Sequence, residues 1–116
     1  MSAREWQRVQ SAIWHLVELD GGPVLAHVEV TLELRDGRQM FGMGGVNRYF
    51  GSYVHDGERF ETPRIASERK AGPVDAMTQE ARFLELLDAV DTIRLEDDQL
   101  VLLVEGRGVL RFVAGP

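Results

Sequence analysis

From Val28 to Arg35 the chain reads Val-Glu-Val-Thr-Leu-Glu-Leu-Arg, apolar and polar residues in faultless alternation. Neighbouring side chains of a strand point to opposite faces. This order therefore puts Val28, Val30, Leu32 and Leu34 on one side and Glu29, Thr31, Glu33 and Arg35 on the other. A strand with one dry and one wet face belongs in an antiparallel sheet, because parallel sheets are covered on both faces. Asp36-Gly37 follows, a two-residue hairpin signal, and predicts a return strand from Arg38 to about Met43.

The rest of the chain supplies more strands and one helix. Ile13 to Leu19 is rich in β-formers and stops at Asp20-Gly21-Gly22-Pro23, so it is predicted as a strand with Trp14 as its core anchor. Gly51 to His55 and Glu58 to Thr62 flank Asp56-Gly57 and predict a second hairpin. Pro63 then ends regular pairing or marks a sheet edge, since it has no amide hydrogen to donate. Arg64 to Pro73 is polar apart from Ile65. From Asp75 to Val90, Phe83, Leu84, Leu86, Leu87 and Val90 form an apolar stripe, with Asp75 or Thr78 available as a cap; this is the predicted helix. Thr92 to Glu96, Leu100 to Val104 and Val109 to Val113 are short strands. The middle one is apolar on both faces and is predicted to be central. Residues 1–12 form an extension, either a frayed helix that Ser2 caps or an extended arm, and 13–114 form one domain. The segments Leu32 to Phe41 and Leu102 to Phe112 echo each other as strand, acidic-Gly-Arg turn, strand. Duplication and common hairpin chemistry both account for that.

Between the first hairpin and the second lies Gly42 to Tyr53, with four of the chain's twelve glycines, an asparagine and three aromatics. Glycine reaches backbone angles closed to other residues, so this stretch predicts a tight, unusual path with rings packed over it. A phosphate cradle of exposed amides is the competing reading. It is disfavoured, because Gly-x-Gly-x-x-Asn lacks the third glycine and no helix follows it. A turn or bulge that bends the sheet is preferred.

Composition removes several function classes. The net charge of the 116 residues is -6, and the thirteen basic residues are scattered, which argues against nucleic acid as a partner. No cysteine is present, so disulfides, thiolate nucleophiles and Cys-ligated zinc are excluded. No apolar run reaches spanning length, and Met1 to Gln10 lacks the apolar core of a signal peptide. The sequence as it stands predicts a soluble cytoplasmic protein without membrane insertion. Removal of a leader from a longer precursor would place it in the periplasm or envelope.

With these blocks in order, the chain resembles the META domain family, that of the HslJ-like bacterial heat-shock proteins, from Trp14 to Phe112. Trp14 and Leu16 match the opening Trp-x-Leu strand. The hallmark Gly-x-x-Gly-Cys-Asn-x-aromatic-x-Gly-x-Tyr is met by Gly42, Gly45, Asn47, Tyr49 or Phe50, Gly51 and Tyr53. Ile65 to Gly72 stands at the Ile-x-Ser-Thr-x-x-Ala-Cys block, and Met77, Glu80, Phe83 and Leu84 match the Met and Glu that open a Phe-Leu helix. Leu100, Leu102, Leu110 and Phe112 match the closing strands. Val46 and Gly72 stand at the two family cysteine positions, and Glu68 at the threonine. The resemblance implies an α+β fold: a strongly curved antiparallel β-sheet of about eight short strands with one main helix around residues 76–90, open to division into two β-α-β-β-β halves. It implies association with stress and carries no catalytic residues across.

The candidate interaction surface is therefore Asn47, Arg48, Tyr49 and Tyr53, shaped by Gly42, Gly44, Gly45 and Gly51 with Trp14 as the structural anchor. Each has a plainer reading: Asn47 capping backbone groups within its turn, and Tyr53 packing with its hydroxyl at the rim. His15, His27 and His55 lack metal-ligand spacing, and Glu96-Asp97-Asp98 lacks the alternating ligands of a calcium loop. Glu61, Glu68 and Asp75 are candidate carboxylates for acid-base work that spacing alone does not join. Ser11, Ser52 and Ser67 sit in no nucleophile elbow. The expectation is a non-enzymatic binding or interaction module, without cofactor or metal, a monomer with an unknown protein partner. A small lipid or hydrophobic-ligand carrier, with a pocket between helix and sheet, is the alternative.

Overall fold

The computed structural model describes residues 1–115. Its elements are helix α1 (Ala3–Ser11), strands β1 (Ile13–Leu19), β2 (Gly22–Pro23), β3 (Thr31–Arg35), β4 (Gln39–Met43), β5 (Arg48–Asp56) and β6 (Arg59–Ser67), helix α2 (Val74–Ala89), and strands β7 (Thr92–Glu96), β8 (Gln99–Val104) and β9 (Arg107–Gly115). All strand pairs are antiparallel. The order β1-β3-β4-β5-β6-β7-β8-β9 closes on itself because β9 also pairs with β1, from Ile13↔Gly115 to Leu19↔Leu110. The fold is thus α+β, with the curved sheet closed into an eight-stranded barrel. Two-residue β2 is a ribbon on the end of β1. Closure removes free edges except at one seam, where β6 meets β7 through Arg59↔Thr92 alone. There α2 lies beside β6, and Thr62 Oγ1 donates to the Leu87 carbonyl at 2.8 Å.

Turn chemistry sets the register. Asp20-Gly21, Asp97-Asp98 and Glu105-Gly106 each join two strands with both residues at positive φ, which matches strand twist. The Asp36-Gly37 signal gives a hairpin of a different kind. A 3-10 turn over Asp36–Arg38 connects Arg35 to Gln39, so three residues make the loop instead of two. The two echoing hairpins thus differ in their turns. The β5–β6 hairpin is longer than predicted at its open end, and its two-residue loop is Gly57-Glu58, one residue later than the predicted Asp56-Gly57. Its register shifts between Ser52 and Val54, where Thr62 and Pro63 face Tyr53. Pro63 sits within β6 at this bulge, on the side that β7 leaves unpaired past Arg59.

The alternating run pairs only from Thr31; Val28 to Val30 lie outside any strand, although the Val30 carbonyl still accepts the Leu16 amide at 2.9 Å. The first twelve residues, expected as an extension, belong to the packed unit. Ser2 and Glu5 cap α1 reciprocally, Val9 is fully buried, and the Trp14 indole donates to the Val9 carbonyl at 2.9 Å. Neither Asp75 nor Thr78 is the N-cap of α2; Pro73 holds that position, and Thr78 Oγ1 bonds the Val74 carbonyl within the helix. A proline suits a helix start because that amide would lack an intrahelical partner.

The barrel interior is filled by Trp14, Leu32, Leu34, Met40, Phe60, Ile93, Leu100, Leu102 and Phe112. The helices close it at opposite ends of the inner face of β5. Trp6 of α1 meets Tyr53 edge-on at 5.8 Å, and Phe83 of α2 meets Tyr49 edge-on at 5.5 Å. On β8 Leu100 to Leu103 are buried on both faces, as a strand between β7 and β9 requires.

Candidate functional site

Gly44 to Asn47 link β4 to β5. Gly44 N–H donates to the Asn47 carbonyl at 2.8 Å and closes the turn. Gly45 takes φ +117, a region that side chains avoid, and a Cβ there would lie 2.8 Å from Val28 Cγ1. This geometry turns two consecutive amides toward α2. Val46 N–H and Asn47 N–H both donate to Glu80 Oε2, at 2.7 and 2.6 Å, and Asn47 Nδ2 donates to Glu80 Oε1 at 2.8 Å. Asn47 Oδ1 accepts the Lys70 amide at 2.7 Å, while its Nδ2 also reaches the Lys70 carbonyl at 3.1 Å. Glu80 is 7% exposed and Asn47 5%. A Cβ on Gly44 would sit 2.8 Å from Glu80 Oε2, so the carboxylate packs directly on that glycine.

The amide nest that a phosphate cradle would need therefore exists, and the protein's own carboxylate fills it. Asn47 reaches beyond its turn to tie three segments together: the β4–β5 loop, the irregular segment between β6 and α2, and helix α2 itself. Glu80, matched in the sequence only as the acid that opens the helix, is not among the candidate site residues. Its sequence signal is an acid set in the inward stripe of α2, four residues after Ala76 and three before Phe83, both buried.

The tyrosines have a related task. Tyr49 and Tyr53 point inward from β5, and their hydroxyls donate to the carbonyls of Thr31 at 2.5 Å and Arg35 at 2.7 Å. They reach past the intervening β4 to hold both ends of β3. Gly42 makes the first reach possible, because a Cβ there would be 2.7 Å from the Tyr49 hydroxyl. Burial pushes both phenols up from their ordinary range, Tyr49 well above it. Gly51 lies where β6 crosses closest, against the backbone of Arg64 and Ile65.

Of the four residues expected to present an interaction surface, Asn47, Tyr49 and Tyr53 are thus buried, and Arg48 is exposed. The outward side chains of β5 alternate with the buried ones, and they meet those of β4 in register. Phe41 pairs with Phe50 and Met43 with Arg48. Phe50 is 53% exposed and Phe41 36%. Glu33 stands opposite Phe41 on β3, and Ala66 opposite Phe50 on β6. The Arg35 guanidinium lies over Phe41 at 5.8 Å while contacting Glu33. Beyond Glu33 the β3–β4 ladder opens, because Met43 N–H turns to Thr31 Oγ1 at 3.0 Å. The opening is a depression of about 310 Å³ lined by Thr31, Glu33, Phe41, Met43, Arg48 and Phe50 over Gly42 and Tyr49.

The remaining candidates do not converge. Glu61 is held by Arg59, Glu68 accepts the Arg48 amide at 3.1 Å, and Asp75 lies 4.0 Å from His27. That amide bond first, with Lys70 and Arg48 nearby, holds the Glu68 carboxyl below its usual range. Glu96 pairs with Arg111 and Asp98 with Arg8, so the acidic turn is a solvated hairpin tip. His55 stacks on Trp6 at 3.6 Å, and His27 is exposed. His15 is half-buried beside Gly115. No three His, Asp or Glu among the described residues stand as a metal-holding group. The two family cysteine positions do meet: a Cβ on Gly72 would lie 3.5 Å from Val46 Cβ. Here a branched valine fills the space the glycine leaves. Among the described residues, no helix is long and apolar enough to cross a membrane.

Solved structures share this architecture. The NMR structure of a protein from Burkholderia xenovorans superposes with a TM-score of 0.75 at 21% identity, covering 98% of this chain and 88% of that one. A second NMR structure of a protein gives 0.73 at 17% identity, covering 97% and 95%. The crystal structure of a DUF4847 family protein from Bacteroides vulgatus gives 0.66 at 13% identity, covering 92% and 94%. At these identities the likeness is one of fold. No curated protein matches the chain. The META domain model matches residues 7–115, and it spans the hallmark loop, its Asn47–Glu80 tie and the closing strands alike; the chain belongs to the META domain family.

Proposed function

We propose that this chain is a non-catalytic binding module whose contact surface is the outer face of β3, β4 and β5. One observation carries the reading: two phenylalanines paired across adjacent strands are exposed at the rim of a depression in which Arg48 stands. Phenylalanine, methionine and arginine are among the residue types enriched at protein interfaces relative to the rest of the surface. The hallmark loop serves this face indirectly. Glu80, Asn47 and the two tyrosines fix the ends of β3 and β5 from within, and Arg48 and Phe50 project from the strand they hold.

The non-catalytic part of the reading rests on how the polar groups are used. The buried polar cluster around Glu80 has its donors matched to acceptors, and the cluster of Asp20 with Arg82 and Arg107 is a set of ion pairs at the surface. A carrier would need room between α2 and the barrel, and Phe83, Leu86 and Leu87 fill that space against Tyr49 and Phe112. Family membership supports a stress-associated setting.

Partner recovery tests the assignment. Phe50→Ala and Arg48→Ala variants that keep the wild-type melting temperature should lose proteins that wild type retains in a pull-down from stressed cells. Undiminished recovery by both variants would remove this face from consideration.

A further inference from the structure

The face described above has a charge pattern of its own. Arg35, Arg48 and Arg64 project from the same side of neighbouring strands as Phe41 and Phe50, with Glu33 and Glu68 the acids beside them; farther along β5 and β6, past the bulge, Arg59 pairs with Glu61 and Asp56 stands opposite Arg59. The chain as a whole carries a net charge of -6. Arg35 is engaged with Glu33, and Glu68 lies 3.6 Å from Lys70. Arg48 and Arg64 are exposed, and neither stands in an ion pair with any of the described carboxylates. They flank Phe50 on both sides. Arg48 is two residues before it on β5, and Arg64 is on β6 opposite Ser52, two residues after it. Phe50, with Phe41 beside it on β4, thus lies between two guanidinium groups that are in no ion pair among the described residues, Glu68 facing Arg48 from just past the end of β6.

We infer that this face takes an acidic peptide segment with an aromatic or large aliphatic anchor, the anchor seated on Phe41 and Phe50 and the carboxylates on Arg48 and Arg64. The inference rests on the binding-surface reading and names its partner chemistry. An extended strand rises about 3.3 Å per residue, so carboxylates one or two residues either side of the anchor span neighbouring rows of a sheet face. Guanidinium groups match carboxylates with paired N–H donors and stack on aromatic faces. A single-stranded nucleic acid would use the same rings for stacking. It would also bring a phosphate at every step, so its charge extends past the two arginines onto Glu33 and Glu68, whereas a short acidic peptide needs only the local pair of arginines. At physiological salt the charges elsewhere on the surface are screened beyond about 8 Å, so the local arginines govern.

The test is a titration of the full chain with fluorescein-labelled peptides followed by anisotropy, with amide chemical-shift mapping in parallel. The probes are Asp-Glu-Phe-Asp-Glu flanked by Gly-Ser, its charge-reversed Lys-Arg-Phe-Lys-Arg form, its anchorless form with alanine for phenylalanine, and oligothymidine. The acidic Phe peptide should bind saturably, shift the amides of Phe41, Met43, Arg48 and Phe50, and lose about tenfold in affinity in the Arg48→Ala, Arg64→Ala double variant. Phe50→Ala should lose a similar factor. Arg94→Ala, on β7, should change nothing. Equal binding of acidic and charge-reversed peptides at those same amides would overturn the charge inference and leave the face reading standing. No saturable peptide binding, shifts confined to other strands, or oligothymidine binding more tightly than the peptide would each overturn the proposal. The pull-down above then reads separately whether the face binds anything.

Discussion

Replacing Glu80 by glutamine takes one acceptor away from a place where three N–H groups converge. The new amide has one oxygen. If it faces Val46 N–H and Asn47 N–H, its own NH₂ meets Asn47 Nδ2, donor against donor. Asn47 cannot turn over to help, because its Oδ1 already accepts from the Lys70 amide and its Nδ2 also donates to the Lys70 carbonyl. One buried mismatch costs about 1–3 kcal/mol, and the two remaining bonds lose their charge assistance, about 1 kcal/mol each. Glu80→Gln should therefore cost about 3 kcal/mol. Glu80→Ala, which leaves all three donors without an acceptor, should cost about 4 kcal/mol. For a domain of this size that lowers the melting temperature by roughly 10 °C or more. Urea denaturation gives the free energies directly. A double-mutant cycle with Asn47→Ala should return a coupling of at least about 1 kcal/mol. If Glu80→Gln unfolds within about 0.5 kcal/mol of wild type, or the cycle is additive, the network does not hold the loop and the reasoning fails.

Three further outcomes follow from the same geometry. Gly45→Val combines a φ of +117 with a contact on Val28 and should destabilise by about 2 kcal/mol or more; an unchanged melting temperature contradicts the close packing. Burial raises the Tyr49 phenol in the folded state above its unfolded value of about 10, so the folded chain holds that proton more tightly. The stability this contributes is complete below about pH 10 and is lost as pH rises toward the folded value; stability curves should fall above pH 10, less steeply in Tyr49→Phe. Finally, Val46→Cys with Gly72→Cys places two Cβ atoms about 3.5 Å apart, within disulfide range. The oxidised variant should form the bond, seen by mass spectrometry, and gain up to about 3.5 kcal/mol by closing a loop of about 26 residues; exclusively free thiols after air oxidation would refute that adjacency.

Much of the sheet was legible because alternation and turn chemistry are local. Trp14 as an anchor, the helix near 76–90 and the apolar β8 all follow from spacing that the chain carries within a few residues. Element ends were less legible. β3 is three residues shorter than its pattern, since Val28 to Val30 pack against the loop and β1 instead of pairing. Helix α1 is too short to stand alone and is fixed by Val9 and Trp6 against the barrel, a gain that its own sequence does not encode.

The site divides along the same line. By itself the sequence determined that Gly42 to Tyr53 is a constrained loop-and-strand of the META type, since glycine density and alternating aromatics are properties of adjacent residues. Only the tertiary structure decided which side each residue faces and what it meets. Strand parity sends Tyr49 and Tyr53 inward and Arg48 and Phe50 outward, and fixing that parity takes the whole ladder from β3 to β6. The carboxylate that the loop amides bind lies more than thirty positions away, on another element. No spacing rule joins Asn47 to Glu80; closure of the barrel and the docking of α2 do.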